Sequence, residues 1–434
     1  MNRSLMMQER ARERIPGMTQ LLSKHPDRFS LGVWPGYFSK ASGAHVWDLD
    51  GNEFLDMSIG GIGATVLGYA DPDVDQAVKR AIDAGVASSL NCAEEVELAD
   101  RLCELHPWAD QVRFGRGGGE TMAMAVRIAR AATGRDKVAF CGYHGWHDWY
   151  LAANIGTENA LGEHLITGLK PTGVPRGLAG TAFPFRYNRI DELEAIIAAH
   201  GPQLAAIVME PIRNEEPTPG FFTSVRALAD STGAVLIVDE ISAGLRFNTG
   251  GAHMVLFDQR PDMAVFAKAL GNGYPVSAVI GRRSVMEAAR STFISSTNWT
   301  DRIGPVAALA TLEKHQRTEA GKHLVRIGTL VQQGWAELAA RHGLDIHVGG
   351  IKPMSHFAFD GEHPQAKKAY FIQLMLEQGI LASNLMYAML AHTDEHVATY
   401  LAACDKAFSV IAGERDIPSK LKGAPSATGF GRLA

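Results

Sequence analysis

No apolar stretch in this 434-residue sequence is long enough to span a bilayer. No excess of one charge sign marks it for a polyanion or a membrane surface, since 42 Lys and Arg stand against 47 Asp and Glu. Cysteine is scarce. Cys92, Cys103, Cys141 and Cys404 show no C-x-x-C spacing, and they read as reduced, mostly packed thiols of a cytoplasmic protein. Internal repeats and low-complexity tracts are missing. The patterns GxxxxGK[ST], GxSxG and HExxH are missing too, which weakens a P-loop nucleotidase, a serine hydrolase or a zinc peptidase. A loose dinucleotide pattern, "GFGRLA" at Gly429–Ala434, has no helix after it and reads as chance. Neither nucleic acid, membrane nor metal is expected as a partner.

What is present is an alternation. From Val112 onward helical patterns separate short runs rich in Val and Ile: "KVAFCG", "LAAIVMEP", "AVLIVDE" and "MAVFAKAL". Such runs suit strands of a mostly parallel sheet buried on both faces. Upstream, "HVWDLDGNEFLDM" reads as two short strands around an Asp-Gly turn, and "DPDVDQAVKRAIDAG" as a helix with Pro72 in its first turn. The basic start "MNRSLMMQERARERI" contains Glu9 and Glu13 and suits a docked helix better than a transit peptide. Residues 154–181 lack periodicity, as functional or mobile loops do. The expectation is a central α/β domain over residues 76–309. A smaller α+β domain would be assembled from residues 1–75 and 310–434.

Four features along this pattern carry chemistry. "RFGRGGGETMAMAVRIARAATGR" sets three glycines at the mouth of a helix whose apolar face includes Met122, Val126 and Ala129. A helix start favours an anion, and glycine lets it approach the backbone; flexible punctuation explains the run equally well. Asp239 and Glu240 close the strongly apolar "AVLIVDE", at the edge where open α/β sheets bind ligands, although a local ion pair is the commoner use. Lys268 follows an apolar run, where a lowered pKa would free its amine for a Schiff base; a snorkelling lysine is the plainer alternative. "CGYHGWHDWY" offers aromatics for stacking, and His144 and His147 for metal, though no third ligand declares itself. One cofactor uses an anion site, a stacking ring, a carboxylate and a lysine together: pyridoxal 5′-phosphate.

The motifs "VWDLDGNEFLDM", "MAVRIARAATGRDKV", "YHGWHD", "VMEPI", "LIVDEISAGLRF", "FAKALGNGYPVSAVIGRR" and "LAHT" extend this. Over residues 30–412 the chain resembles the class III (ω-type) aminotransferases of the fold type I pyridoxal-phosphate enzymes, close to the glutamate-1-semialdehyde aminomutase branch. The resemblance implies that Lys268 would bind the cofactor aldehyde and carry protons, and that Asp239 would keep the pyridine nitrogen protonated. It implies stacking by Tyr143 on one ring face and Ile241 on the other. Phosphate would be held by the N–H groups of Gly118 and Gly119 and by Thr297 of a neighbouring subunit, hence a homodimer with active sites at the interface.

Three departures qualify the match. Gly117-Gly118-Gly119 stands where the family usually shows Ser-Gly-Thr, so Arg116 is a candidate compensating charge. "TNWTDR" brings Trp299 near the expected intersubunit site. Asn384 and Tyr387 stand before "LAHT", where the aminomutases carry an acidic residue. The reaction expected is amino transfer from an amino acid to a carbonyl acceptor. Trp146, His147, Arg213 and Asn214 suggest a keto- or aldehydo-sugar, or an aminoglycoside precursor. An aminomutase or epimerase using the same lysine is the alternative, and a non-catalytic protein that retains the fold is the rival from another class.

Overall fold

The computed structural model describes residues 2–155, 160–162, 167–212 and 214–428. Arg213, parts of the 154–181 segment and Gly429–Ala434 therefore lie wholly or partly outside the described residues. The chain forms two compact units, one of Met1–Asp71 with Lys322–Ala434 and one of Pro72–Gly321.

In the first unit, β1 (Phe38–Ser42), β2 (His45–Asp48) and β3 (Glu53–Met57) form an antiparallel meander. Asp48 fixes the turn between β2 and β3. Its Oδ1 accepts from the N–H of Asp50 at 2.8 Å and of Asn52 at 2.9 Å. The N-terminal helix Arg3–Arg14 is docked by Asp50, whose carboxylate accepts from Arg3 N at 2.7 Å and Ser4 N at 3.0 Å.

The second unit holds seven strands: β4 (Gln111–Gly115), β5 (Lys137–Cys141), β6 (Ala182–Pro184), β7 (Leu204–Met209), β8 (Val235–Asp239), β9 (Met263–Phe266) and β10 (Ser277–Gly281). Their order is β4-β10-β9-β8-β7-β5-β6, and β10 alone runs opposite to the other six. Every residue of β7 and β8 is buried, as their unbroken apolar runs require. Alternate side chains serve opposite faces. Val138, Phe140, Val208 and Ile237 pack with Met122, Val126 and Ala129 of helix Gly118–Thr133. Ala139, Ile207, Leu236 and Val238 pack with Phe221, Val225 and Ala229 of helix Phe221–Thr232.

Helix Ile303–Arg317 belongs to this unit, because Asp73 on helix Pro72–Asp83 pairs with Lys314 at 3.2 Å and Arg317 at 2.9 Å. The unit therefore runs from Pro72 to Gly321, whereas the sequence pattern suggested 76–309. The first unit resumes with β11 (Ile346–Gly349), β12 (Met354–Phe359), β13 (Ile380–Ala382) and β14 (Leu385–Tyr387). β13 adds to β3 in parallel, while β11-β12-β14 form a separate antiparallel sheet. No helix among the described residues is long and apolar enough to cross a membrane.

Candidate active site

Six strands release their carboxyl ends along one edge of the large sheet, and five of them deliver a side chain or a backbone turn there. β8 ends in Asp239, which is 2% exposed. Its Oδ1 accepts from Ile241 N at 2.9 Å, and its Oδ2 lies 2.7 Å from His144 Nδ1. His144 follows β5, and its Nε2 lies 3.1 Å from the Cys141 carbonyl. A carbonyl oxygen only accepts, so Nε2 carries a hydrogen and the Asp239–His144 contact shares one further proton. Burial pushes the Asp239 carboxyl above its usual range, and the hydrogen bond and charge of His144 oppose that. A cation brought to the remaining face of Asp239 would favour the carboxylate form. His144 is thus the positioning partner of Asp239, with both its ring nitrogens engaged within the protein. Among the described residues, no group of three or more His, Cys, Asp or Glu could hold a metal ion.

β9 ends one residue before Ala267-Lys268. Lys268 has φ +45°, an unusual backbone conformation for a side-chain-bearing residue, costing roughly 1–3 kcal/mol. Its Nζ donates to Ser242 Oγ at 2.6 Å, in the turn after β8. Amine and carboxylate thus emerge from adjacent strands. Glu240, by contrast, is buried and structural: it accepts from Ala252 N at 3.0 Å and His253 N at 2.7 Å. β7 leads to Glu210, also buried, whose Oε2 accepts from Tyr143 N at 3.0 Å and fixes the backbone of that aromatic residue.

β4 feeds the glycine run. Gly117 precedes the helix with φ −119°, and Glu120 Oε1 accepts from Gly117 N at 2.8 Å and from Arg116 N. A Cβ on Gly118 would lie 2.9 Å from Ile241 Cδ1 and 3.0 Å from its Cγ2, so glycine lets the helix mouth pass beneath Ile241 without displacing that side chain. Gly119 faces a different neighbour. A Cβ there would lie 3.4 Å from His147 Cδ2 and 3.7 Å from Trp146 Nε1. Arg116 does not supply a spare charge as expected, because its Nε donates to Asp301 Oδ2 at 2.8 Å. Asp301 also caps helix Ile303–Arg317 through Ile303 N at 2.9 Å. Trp299 is partly buried against the core of its own chain.

The structure brings Asp239, Ile241, Lys268, Tyr143, Gly118 and Gly119 to one edge, with Trp146 and His147 beside Gly119. Thr297 is exposed at the start of the turn Thr297–Thr300. Asn214 is exposed in the segment after β7. A groove of about 310 Å³ on the flank of helix Gly118–Thr133 is lined by Arg127, Arg130, Trp146, His147 and Trp149, and not by Asp239, Lys268, Tyr143 or Gly118. Sequence reasoning overlooked His144 as a partner of Asp239, and Glu210 and Ser242 altogether. Strand-end position was the available signal for each of them.

The family model described as "Aminotransferase class-III" matches residues 33–408. The chain is a class-III aminotransferase. The 3-aminobutyryl-CoA aminotransferase of Cloacimonas acidaminovorans (strain Evry) is 30% identical to it over 409 residues, covering 91% of this chain and 94% of that protein. The 2'-deamino-2'-hydroxyneamine transaminase of Streptomyces kanamyceticus is 31% identical over 380 residues, covering 86% and 91%. Among solved structures, the FumI protein of Sphingopyxis sp. MTA144 in its PLP internal aldimine form superposes with a TM-score of 0.86. It is 25% identical and covers all of both chains. The aminotransferase has the fold type I architecture, and its cofactor is pyridoxal 5′-phosphate. The donor set fits that group: a glycine-lined helix start for the phosphate, a buried carboxylate for the ring nitrogen, and a lysine amine one strand away.

Proposed function

We propose that this aminotransferase moves an amino group from an amino acid to the carbonyl of a polyhydroxylated acceptor, with Lys268 as the catalytic residue. The observation that carries the assignment is the emergence of Lys268 and Asp239 from adjacent strands, with Nζ already held by Ser242 at 2.6 Å. Pyridoxal phosphate supplies the electron sink into which charge from the substrate Cα is drawn. Lys268 Nζ would hold the cofactor and move the proton at substrate Cα. Asp239, backed by His144, would hold a proton on the ring nitrogen. Tyr143 and Ile241 would bracket the ring, and the Gly118 and Gly119 N–H groups would take the phosphate. The sugar-like acceptor draws support from the neamine transaminase relative and from the exposed face of Trp146, an apolar surface suited to a sugar ring.

Borohydride reduction followed by peptide mapping should place the cofactor on Lys268, and Lys268→Ala should purify without covalent cofactor and without turnover. A label on Lys137 or Lys170 would overturn the assignment. Turnover should need two substrates, an amino donor and a carbonyl acceptor. A single substrate rearranged with no donor would favour the aminomutase or epimerase reading. We further propose a homodimer in which Thr297 reaches the phosphate in the neighbouring subunit. Thr297→Ala should then weaken cofactor binding by about one to two orders of magnitude, and dilution should release cofactor as dimers separate. A monomer that retains cofactor argues against the shared site.

A further inference from the structure

The helix mouth offers a dianionic phosphate little beyond backbone. Residues 117–119 carry no side chain at all. The neighbouring cation, Arg116, is bound by Asp301, and Glu120 already occupies the N–H groups of Arg116 and Gly117. A second strand-end loop closes on this deficit. Gly145, at φ +97°, lies so close that a Cβ on it would be 2.9 Å from Gly119 Cα. That backbone contact carries the next two residues across Gly119. The pyrrole edge of Trp146 faces it, with Cδ1 and Nε1 at 3.6 and 3.7 Å from the Cβ position, and His147 Cδ2 is at 3.4 Å. Cα–Cβ bonds tilt toward the N-terminus of a helix, so the Gly119 Cβ position that these edges meet leans toward the opening.

Trp146 gains little from the fold in return. The residue is 70% exposed, and its ring neighbour is His147, with centroids 4.5 Å apart. Among the described residues its Nε1 has no hydrogen-bond partner. An indole N–H can only donate, and a large ring left in solvent beside an anion site has a use when the anion arrives.

We propose that the Trp146 indole N–H donates to the cofactor phosphate, in the role a hydroxyl side chain at position 117 or 119 would otherwise fill, with His147 backing the ring. This rests on the reading that Gly118 and Gly119 form the phosphate site. The test removes the N–H and keeps an aromatic ring. Wild type and Trp146→Phe, stripped of cofactor, are titrated with pyridoxal phosphate and, separately, with pyridoxal, which lacks the phosphate. The variant should bind pyridoxal phosphate about ten- to a hundredfold more weakly and bind pyridoxal unchanged. Tryptophan fluorescence quenched by pyridoxal phosphate in the wild type should lose part of its amplitude in the variant. Equal losses for both ligands would mean that the ring merely packs, and no loss would mean that the N–H points elsewhere; either overturns the proposal. A wild-type protein that binds neither ligand would remove the cofactor reading as well, which separates the two failures.

Discussion

Asp239 and His144 form a buried unit whose parts act through one another. The carboxylate is the group that would meet the ring nitrogen, while His144 reaches it only through Asp239 at 2.7 Å and is itself anchored on the Cys141 carbonyl. Asp239→Asn keeps the shape and removes the charge, so turnover should fall by about a hundredfold or more with the fold intact. His144→Ala leaves one Asp239 oxygen without its donor, and a loss of about tenfold is expected. Because His144 works through the carboxylate, the double variant should be no worse than Asp239→Asn alone. Losses that multiply in a kinetic double-mutant cycle would show two independent roles. Glu210 is a second buried carboxylate in this neighbourhood, and its charge raises the proton affinity of Asp239.

Strand-end loops depend on a few backbone positions that admit no side chain. Gly142 has φ +114°, and a Cβ there would lie 2.5 Å from Glu210 Oε2 and 2.9 Å from its Cγ. Gly142→Ala should therefore cost roughly 2 kcal/mol or more of stability and weaken cofactor binding, since Tyr143 and His144 follow directly. Gly177→Ala meets nothing within 4 Å and serves as the neutral control in parallel denaturation curves. Equal stability of the two variants would show that the loop yields. These elements were unequally legible in the sequence. Runs such as "AVLIVDE" announced buried strands, and with them Asp239 and Lys268, because burial on both faces demands continuous apolar residues. The antiparallel direction of β10 was not legible, since an apolar run looks the same in either direction. Neither was the Asp239–His144 pair, which spans 95 positions and exists only because β5 and β8 flank β7. The Arg116–Asp301 pair, 185 positions apart, was hidden for the same reason. Arg116 therefore looked available to a phosphate when its charge was already committed.

Over the whole molecule, both compact units bury histidines that the fold keeps neutral, His392 in the first and His315 and His106 in the second, and these contribute to the response to acid. In the first unit His392 is fully buried. Its Nδ1 accepts from Met389 N at 3.0 Å, and its Nε2 faces the Asp56 carbonyl at 2.9 Å, so the Nε2–H tautomer satisfies both contacts. In the second unit His315 lies with Nε2 2.9 Å from the Leu245 carbonyl and Nδ1 2.9 Å from Thr249 Oγ1. Burial lowers both to about 4, and a proton on Nδ1 of His392 would face the Met389 N–H. An unfolded histidine titrates at about 6.5. Between those values the unfolded chain binds, at His315 and His392, two protons that the folded chain refuses, so folding stability falls as pH drops. The loss begins at about pH 6.5 and amounts to roughly 2.5 kcal/mol per pH unit around pH 5 from this pair. Below the folded values both states are protonated and the contribution levels off. Urea denaturation between pH 7 and 4.5 should show this limb, and it should be shallower by about that amount in the His315→Gln, His392→Gln double variant, whatever the variant's stability at pH 7. An unchanged slope would mean that carboxylates and the remaining histidines, and not this pair, carry the acid response.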